Sequence, residues 1–296
     1  MKILVTGAGG QLGKALRDSS AASGYELILT DAVPRDGMLV LDVTSRDDVL
    51  AFISEHKVGA VINCAAYTDV NGAEDDLQKA ELINSYAPSV LAEAAARTGA
   101  VLIHISTDYV FDGQKNTPYT ETDTPSPLSA YGKTKLAGDM AVCASGCSYV
   151  ILRTAWMYSC YGRNFFNTIV DRTAENPNIK VVVDQIGTPT YAPDLADAIF
   201  RILETGVSGR EGIYNFTGEG LCSWYDFAVA ICNGVGHLCR ISPCHTSDYP
   251  AKASRPHYSV LDKSRIRSVF GIDIPHWTES LNMCIMDYEK TVTSGR

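Results

Sequence analysis

Near its start the chain passes from a β-prone aliphatic run, Lys2 to Thr6, through Thr6-Gly7-Ala8-Gly9-Gly10-Gln11-Leu12-Gly13, and on into a helical stretch from Gly10 to Ser23. Glycines at 7, 10 and 13 between a strand and a helix constrain the fold more than any other feature. Gly7 permits a tight turn, Gly10 lets the backbone approach a pyrophosphate, and Gly13 lets helix and strand pack closely. Gln11 and Leu12 open the helix, whose free N–H groups and positive dipole end suit a phosphate. A glycine-rich turn alone often serves geometry only. Here Asp31 follows at the end of the second strand, about where an acidic residue accepts ribose hydroxyls, and the context reads as a dinucleotide site.

Strand-like runs at Lys2 to Thr6, Glu26 to Thr30, Met38 to Leu41, Ala60 to Asn63, Val101 to Ser106 and Tyr149 to Arg153 alternate with helical stretches at Gly10 to Ser23, Arg46 to Glu55, Asp76 to Thr98 and Ser129 to Ala144. This alternation predicts an α/β fold, with a doubly wound parallel-sheet Rossmann domain over residues 1–155. Several strands are apolar on consecutive positions, as strands covered on both faces should be. Over 156–296 the alternation fades, leaving strand-like Lys180 to Val183 and Gly212 to Phe216, a helix from Trp224 to Asn233, and loops expected at Pro189, Pro193, Pro243, Pro250 and Pro256. This reads as a smaller C-terminal substrate-binding lobe with segments returning to the Rossmann sheet. The ligand crevice belongs at the C-terminal strand ends, where strand order reverses.

Asp31 favours NADH by charge, yet Arg35 four residues on has the chemistry to pair with a 2′-phosphate, so both NADPH and NADH remain open. Asp42 and Val43 are placed to meet the adenine, or equally to lead into a helix cap before Thr44 and Ser45. Tyr131-Gly132-Lys133-Thr134-Lys135 puts Tyr131 and Lys135 one helical turn apart on one face. A ketone accepting hydride needs a proton, which a phenol can supply if a neighbouring ammonium lowers its pKa. Lys135 can also hold the nicotinamide ribose. Hydroxyls at the end of the fifth strand point into the same crevice: Thr107 is the candidate donor to the substrate carbonyl, with Ser106 second. Asp108 either orients sugar hydroxyls or caps the next turn, and His104, among apolar neighbours, reads as a core histidine.

These segments, together with Asn63-Cys64-Ala65-Ala66-Tyr67-Thr68-Asp69-Val70, Arg153-Thr154-Ala155-Trp156, Asn164-Phe165, Asp184 to Thr190 and Arg255-Pro256, closely resemble the dTDP-4-dehydrorhamnose reductase family of extended short-chain dehydrogenases over nearly the whole chain. The resemblance implies a catalytic set of Thr107, Tyr131 and Lys135 with Thr68 nearby. It also implies coenzyme contacts from Gly10 to Leu12, Asp31, Asp42, Val43 and Ala65, Ala66 and Tyr67, and substrate contacts from Trp156. A large rigid ring directly after a strand end is suited to stack on a deoxysugar or thymine, or to pack between domains. Arg255 can pair bidentately with a phosphate. Asn71 and Tyr258 depart from the family pattern. Some relatives dimerise through a magnesium site built from glutamates; the aligned positions hold Ala15 and Pro193, so no metal is expected, and the state expected is a monomer or weak homodimer.

The implied activity is transfer of hydride from NAD(P)H to the C4 keto group of dTDP-4-dehydro-L-rhamnose, giving dTDP-L-rhamnose for cell-surface polysaccharide. Two alternatives share the fold: a sugar-nucleotide epimerase or dehydratase, and a non-catalytic regulatory subunit resembling that of methionine adenosyltransferase. A net charge of −9 on 296 residues repels polyanions and argues against nucleic acid as partner. The nine scattered cysteines contain no C-x-x-C pair, and Cys143 and Cys147, four apart, lack a second ligand pair, so reduced thiols are expected. No apolar run approaches a membrane span or signal peptide, and the expected location is the cytoplasm.

Overall fold

The computed structural model describes residues 1–249 and 251–294. The first half runs β1 (Lys2–Thr6), α1 (Gln11–Asp18), β2 (Glu26–Asp31), β3 (Leu39–Val40), α2 (Arg46–His56), β4 (Ala60–Asn63), α3 (Gly72–Asp75), α4 (Leu77–Glu81), α5 (Ala87–Thr98), β5 (Val101–Thr107), α6 (Ala130–Ala144) and β6 (Ser148–Thr154). The second half follows with β7 (Met157–Tyr158), α7 (Phe165–Glu175), β8 (Asn178–Val182), β9 (Ile186–Gly187), β10 (Thr190–Tyr191), α8 (Ala192–Thr205), β11 (Gly212–Asn215), β12 (Cys222–Ser223), α9 (Trp224–Gly234), β13 (Arg240–Cys244), α10 (Ser264–Phe270) and α11 (Trp277–Ser294).

Seven strands form one sheet in the order β11-β6-β5-β4-β1-β2-β3, and every pairing in it is parallel. Consecutive apolar residues serve opposite faces. Ile3, Val5, Ile103, Ile105, Val150 and Leu152 enter one core with α1, α8 and α10, while Leu4, Val61, Leu102 and Ile151 enter another with α2, α5 and α6. Thus β11, α8 and α10, all from the second half, complete the sheet and its cover. A third core joins α7, α9 and α11 around Tyr158, Phe166, Phe227 and Trp277. Strand order reverses between β1 and β4, which opens the crevice at their C-terminal ends.

Several elements differ from the sequence reading. The helix expected from Gly10 to Ser23 stops at Asp18, and Ser19 caps a separate 3₁₀ turn, Ser20–Gly24. The strand expected at Met38 to Leu41 keeps only Leu39 and Val40. The helix expected from Asp76 to Thr98 is broken by a π turn, Leu82–Tyr86, because Pro88 has no N–H to offer the preceding turn. Pro193 lies in the first turn of α8, where its missing N–H costs nothing, so it is no loop residue. Pro243 lies in β13, which pairs with β8 alone and leaves its other edge free of ladder bonds. Pro189 and Pro256 are in loops; Pro250 lies outside the described residues.

Candidate active site

At the strand-order reversal, Gly7 adopts φ +62 and passes so close to the loop after β4 that an added Cβ would sit 2.8 Å from the Ala65 Cα. A side chain at Gly13 would strike the Ala8 backbone, so helix and turn pack as the spacing requires. A cavity of about 560 Å³ opens here. Its walls include Gly7, Gly10, Gln11, Leu12 and Gly13 from the glycine loop, Asp31 from β2, and Asp42 and Val43 before α2. The loop after β4 adds Ala65, Ala66, Tyr67 and Thr68. Gly10 caps α1 without any side-chain hydrogen bond, so nothing covers the first N–H groups of the helix from that position. The residues therefore fit a dinucleotide, with its phosphates at the α1 N-terminus.

Two asparagines hold the β4 loop in place. Asn63 Oδ1 accepts from Thr6 Oγ1 at 2.8 Å and from the Ala65 N–H at 3.2 Å. Asn84, buried in the π turn, accepts from the Tyr67 N–H at 2.8 Å and donates to the Tyr67 carbonyl at 3.0 Å. Asp31 is not a free carboxylate. Its Oδ2 accepts from the Gly9 N–H at 3.1 Å and from Arg35 Nε at 3.0 Å. Asp42 lines the cavity while its Oδ1 holds the Thr44 N–H and hydroxyl at 2.9 and 2.7 Å, so both readings of that residue are present at once.

The catalytic candidates meet beside this cavity. Lys135, 2% exposed, donates from Nζ to the carbonyl of Ile105 at 2.6 Å, and Ile105 lines the cavity. The Thr107 side chain lies beside Tyr131, and the Tyr131 ring meets Tyr109 edge-on, ring centroids 5.6 Å apart. The expected lowering of the phenol by Lys135 is not what the structure shows. Burial pushes Tyr131 up to about 12, with the Thr107 hydrogen bond pulling the other way, while burial lowers Lys135 to about 8. The ammonium is engaged by the Ile105 carbonyl, and desolvation of the phenol prevails. Tyr131 is thus held as a proton-bearing phenol. Asp108 is 1% exposed; its Oδ1 accepts from Thr107 at 3.1 Å, the Ser259 side chain lies beside the carboxylate, and burial lifts it to about 6. His104 is fully buried, with Nδ1 3.0 Å from Asn63 Nδ2, and burial holds it neutral.

A further cavity of about 540 Å³ carries Arg255 beside Arg172, Lys180, Trp224 and Gln185, with no carboxylate among the described residues that line it. Tyr109 lies between it and α6, its ring packing edge-on against Tyr131 and the Arg255 guanidinium close enough to favour its phenolate. Trp156 lines neither cavity; its ring stacks on Trp224 at 3.6 Å between centroids and 12°. Its backbone sits at φ +48, a left-handed conformation that costs a residue with a side chain about 1–3 kcal/mol. Residues beyond the sequence reading are Tyr109, Trp224, Arg172, Lys180 and Asn84, together with Tyr161 and Arg163 in the coenzyme cavity. For one of them a signal was present: Phe165, Ile169 and Arg172 share one face of α7.

A glycine-loop Rossmann fold with a buried Lys135 and a half-buried Tyr131 one helical turn apart beside its coenzyme crevice defines an oxidoreductase of the extended short-chain dehydrogenase class. The family model described as the RmlD substrate binding domain matches residues 1–290. A dTDP-4-dehydrorhamnose reductase of Burkholderia thailandensis is 39% identical over 97% of this chain and 99% of its own. The crystal structure of a dTDP-4-dehydrorhamnose reductase of Clostridium acetobutylicum superimposes with a TM-score of 0.91 at 42% identity, covering 98% of this chain and 100% of that one. One from Bacillus anthracis, in complex with NADP, also has a TM-score of 0.91, at 34% identity, covering 97% and 99%. The chain belongs to the dTDP-4-dehydrorhamnose reductase family.

Proposed function

We propose that Thr107, Tyr131 and Lys135 are the catalytic residues of this reductase and that the basic cavity at Arg255 receives the sugar nucleotide. The chain reduces the C4 keto group of dTDP-4-dehydro-L-rhamnose to give dTDP-L-rhamnose with NAD(P)H. The observation that carries the residue roles is that Lys135 Nζ donates to the Ile105 carbonyl on the cavity wall, with Tyr131 one helical turn away on α6 and the Thr107 side chain beside it. NAD(P)H supplies the hydride when bound; Gly7, Gly10, Gln11, Leu12, Gly13, Asp31, Asp42, Val43, Ala65, Ala66 and Tyr67 hold it.

The Tyr131 hydroxyl gives its proton to the ketone oxygen as negative charge develops there, and Thr107 stabilises that charge by hydrogen bonding. Lys135, anchored by the Ile105 carbonyl, holds the ribose. Thr68 and Asp108 position the sugar. Arg255 takes a phosphate of the substrate, helped by Arg172 and Lys180. Trp156 backs Trp224, which presents the aromatic surface to the cavity.

On this reading residues 1–155 bind the coenzyme and 156–296 the sugar nucleotide, with β11, α8 and α10 lending their packing to the first unit. The enzyme works in the cytoplasm as a monomer or weak homodimer; no helix among the described residues is long and apolar enough to cross a membrane. The test is Tyr131→Phe, assayed by loss of NAD(P)H absorbance with the 4-keto sugar nucleotide. It should lower kcat at least a hundredfold while coenzyme affinity holds within about threefold. An unchanged kcat would remove Tyr131 from the chemistry. Conversion of substrate without net coenzyme oxidation would favour the epimerase alternative instead.

A further inference from the structure

The loop between β7 and α7 belongs to the second half of the chain, yet it is fastened to the first helix at the glycine turn. Gln11, the first residue of α1, offers its Oε1 to two donors of this loop, Ser159 Oγ at 3.0 Å and Asn164 Nδ2 at 2.8 Å. Asn164 also caps α7 through its Oδ1, which accepts from the Asn167 N–H at 3.0 Å, and its Nδ2 donates to the carbonyls of Ser159 and Tyr161 at 2.8 and 3.1 Å. Asn167 Nδ2 holds the Gly162 carbonyl at 2.8 Å. Tyr161 reaches α1 twice: its hydroxyl donates to Asp18 Oδ2 at 3.3 Å, and Lys14 Nζ lies over its ring, 5.3 Å from the centroid. The backbone that carries Arg163 is therefore fixed against α1. A Cβ built on Gly162 would sit 3.9 Å from Gln11 Cγ, so Arg163 follows directly on the point of contact.

Tyr161, Gly162 and Arg163 line the coenzyme cavity together with the glycine loop. The cations on its walls are Lys14, Lys79 and Arg163, and the carboxylates are Asp31 and Asp42. Both carboxylates are engaged at home: Asp31 with Gly9 and Arg35, Asp42 with Thr44. Lys14 lies over the Tyr161 ring, and Lys79 lies over the Tyr67 ring in the β4 loop, 5.9 Å from its centroid. Arg163 is exposed, and its side chain has no hydrogen bond, ion pair or ring contact among the described residues. Gly10 gives the α1 N-terminus no side-chain cap. An anion seated on those N–H groups gains a second ligand from a guanidinium whose backbone is held beside the same turn.

We propose that Arg163 is a coenzyme-binding residue, its guanidinium pairing with the pyrophosphate at the α1 N-terminus, so that the second half of the chain completes a site otherwise built from the first. This rests on the reading of the glycine-loop cavity as the coenzyme site. The pyrophosphate is common to NADH and NADPH, so Arg163 serves both alike, unlike a group that reads the 2′-phosphate. Through Gln11 the same loop ties the seat of the coenzyme to α7, whose Phe165 and Arg172 line the cavity at Arg255.

The test is calorimetric titration of coenzyme-free protein with NADH, NADPH and ADP-ribose, which share the pyrophosphate. Arg163→Ala should raise the dissociation constant of all three about tenfold, the loss of one charge-assisted pair. Arg163→Lys should recover part of it, because an ammonium keeps the charge and loses the fork. The loss should shrink as ionic strength rises from about 0.05 to about 0.5 M, since an exposed pair is screened. Arg163 holds no other residue in place, so the variant should unfold at the wild-type temperature and the loss of affinity stand apart from any loss of fold. Unchanged affinity for all three would overturn the proposal. So would a loss confined to NADPH, which would put Arg163 on the 2′-phosphate, or a rise confined to the KM of the sugar nucleotide, which would put it on the substrate. Wild-type protein that binds none of the three would sink the reading of the cavity and the proposal together.

Discussion

At the end of β2 the Asp31 carboxylate receives the Gly9 N–H and Arg35 Nε on the same oxygen, and the Arg35 side chain lies over Gly9 at the edge of the coenzyme cavity. A bare aspartate there would accept ribose hydroxyls and repel a 2′-phosphate; a neutralised one tolerates either. Arg35 is half-exposed, so its ion pair with Asp31 is cheap to break, and a 2′-phosphate could recruit the guanidinium by a small swing. Coenzyme preference therefore turns on Arg35. Arg35→Ala should lower kcat/KM for NADPH about tenfold, a loss of the size of one charge-assisted hydrogen bond, and leave that for NADH within about twofold. Initial rates with each coenzyme measure it, and equal losses for both would refute the assignment. The same residue shows a limit of reading a chain one position at a time. Asp31 and Arg35 were each legible from sequence, whereas their shared oxygen, and hence the net charge presented to the ribose, is a product of the turn between them.

The break in the helical stretch after Asp76 is the element that most directly couples secondary structure to the site. A regular helix would send Asn84 around its cylinder in ordinary register. The π turn instead buries Asn84 completely and aims its amide at both backbone polar groups of Tyr67, while Gly138 of α6 lets the two helices approach at the Asn84 carbonyl. Asn84→Ala removes a donor and an acceptor from the Tyr67 backbone, which should cost about 1–3 kcal/mol in urea unfolding and weaken coenzyme binding several-fold. Wild-type coenzyme affinity in a variant that has lost stability would show that the turn supports the fold and not the loop. Legibility follows the range of the signal. The glycine turn, the Tyr131/Lys135 spacing and the two-faced strands are written in adjacent residues, and they locate the crevice. Pro88 signalled an interruption, but a proline alone does not say whether a helix ends, kinks or bulges. Trp224, Tyr109 and Asn84 acquire their roles from partners 68, 22 and 17 residues away, by subtraction of residue numbers from Trp156, Tyr131 and Tyr67. No local pattern carries that information.

Across the whole molecule, the site around Lys135 is a place where charge is enclosed at the expense of stability. Lys135 is buried and its ammonium is pulled from 10.5 down to about 8, so folding disfavours the charged form; Asp108 and Asp139 are raised, and folding disfavours their charged forms as well. The signs follow directly. For the lysine, the unfolded chain holds its proton more tightly than the folded one, so the full penalty stands below pH 8 and disappears as pH rises toward 10.5. For Asp108 the folded state holds the proton more tightly, so its penalty grows as pH rises from about 4 to about 6 and then stays. Between pH 6 and 8, where the enzyme is expected to work, both penalties are present together. The Lys135 shift alone corresponds to about 3 kcal/mol, partly returned by the hydrogen bond to Ile105, so Lys135→Met should be inactive yet more stable than wild type by about 1–2 kcal/mol at pH 7. Chemical denaturation from pH 6 to 10.5 checks the sign as well as the size, because the advantage of the variant must shrink above pH 8 as the wild-type lysine sheds its proton in both states. A variant less stable than wild type at pH 7, or an advantage that widens with pH, would mean that the Ile105 hydrogen bond and the Asp139 charge outweigh the desolvation of the ammonium.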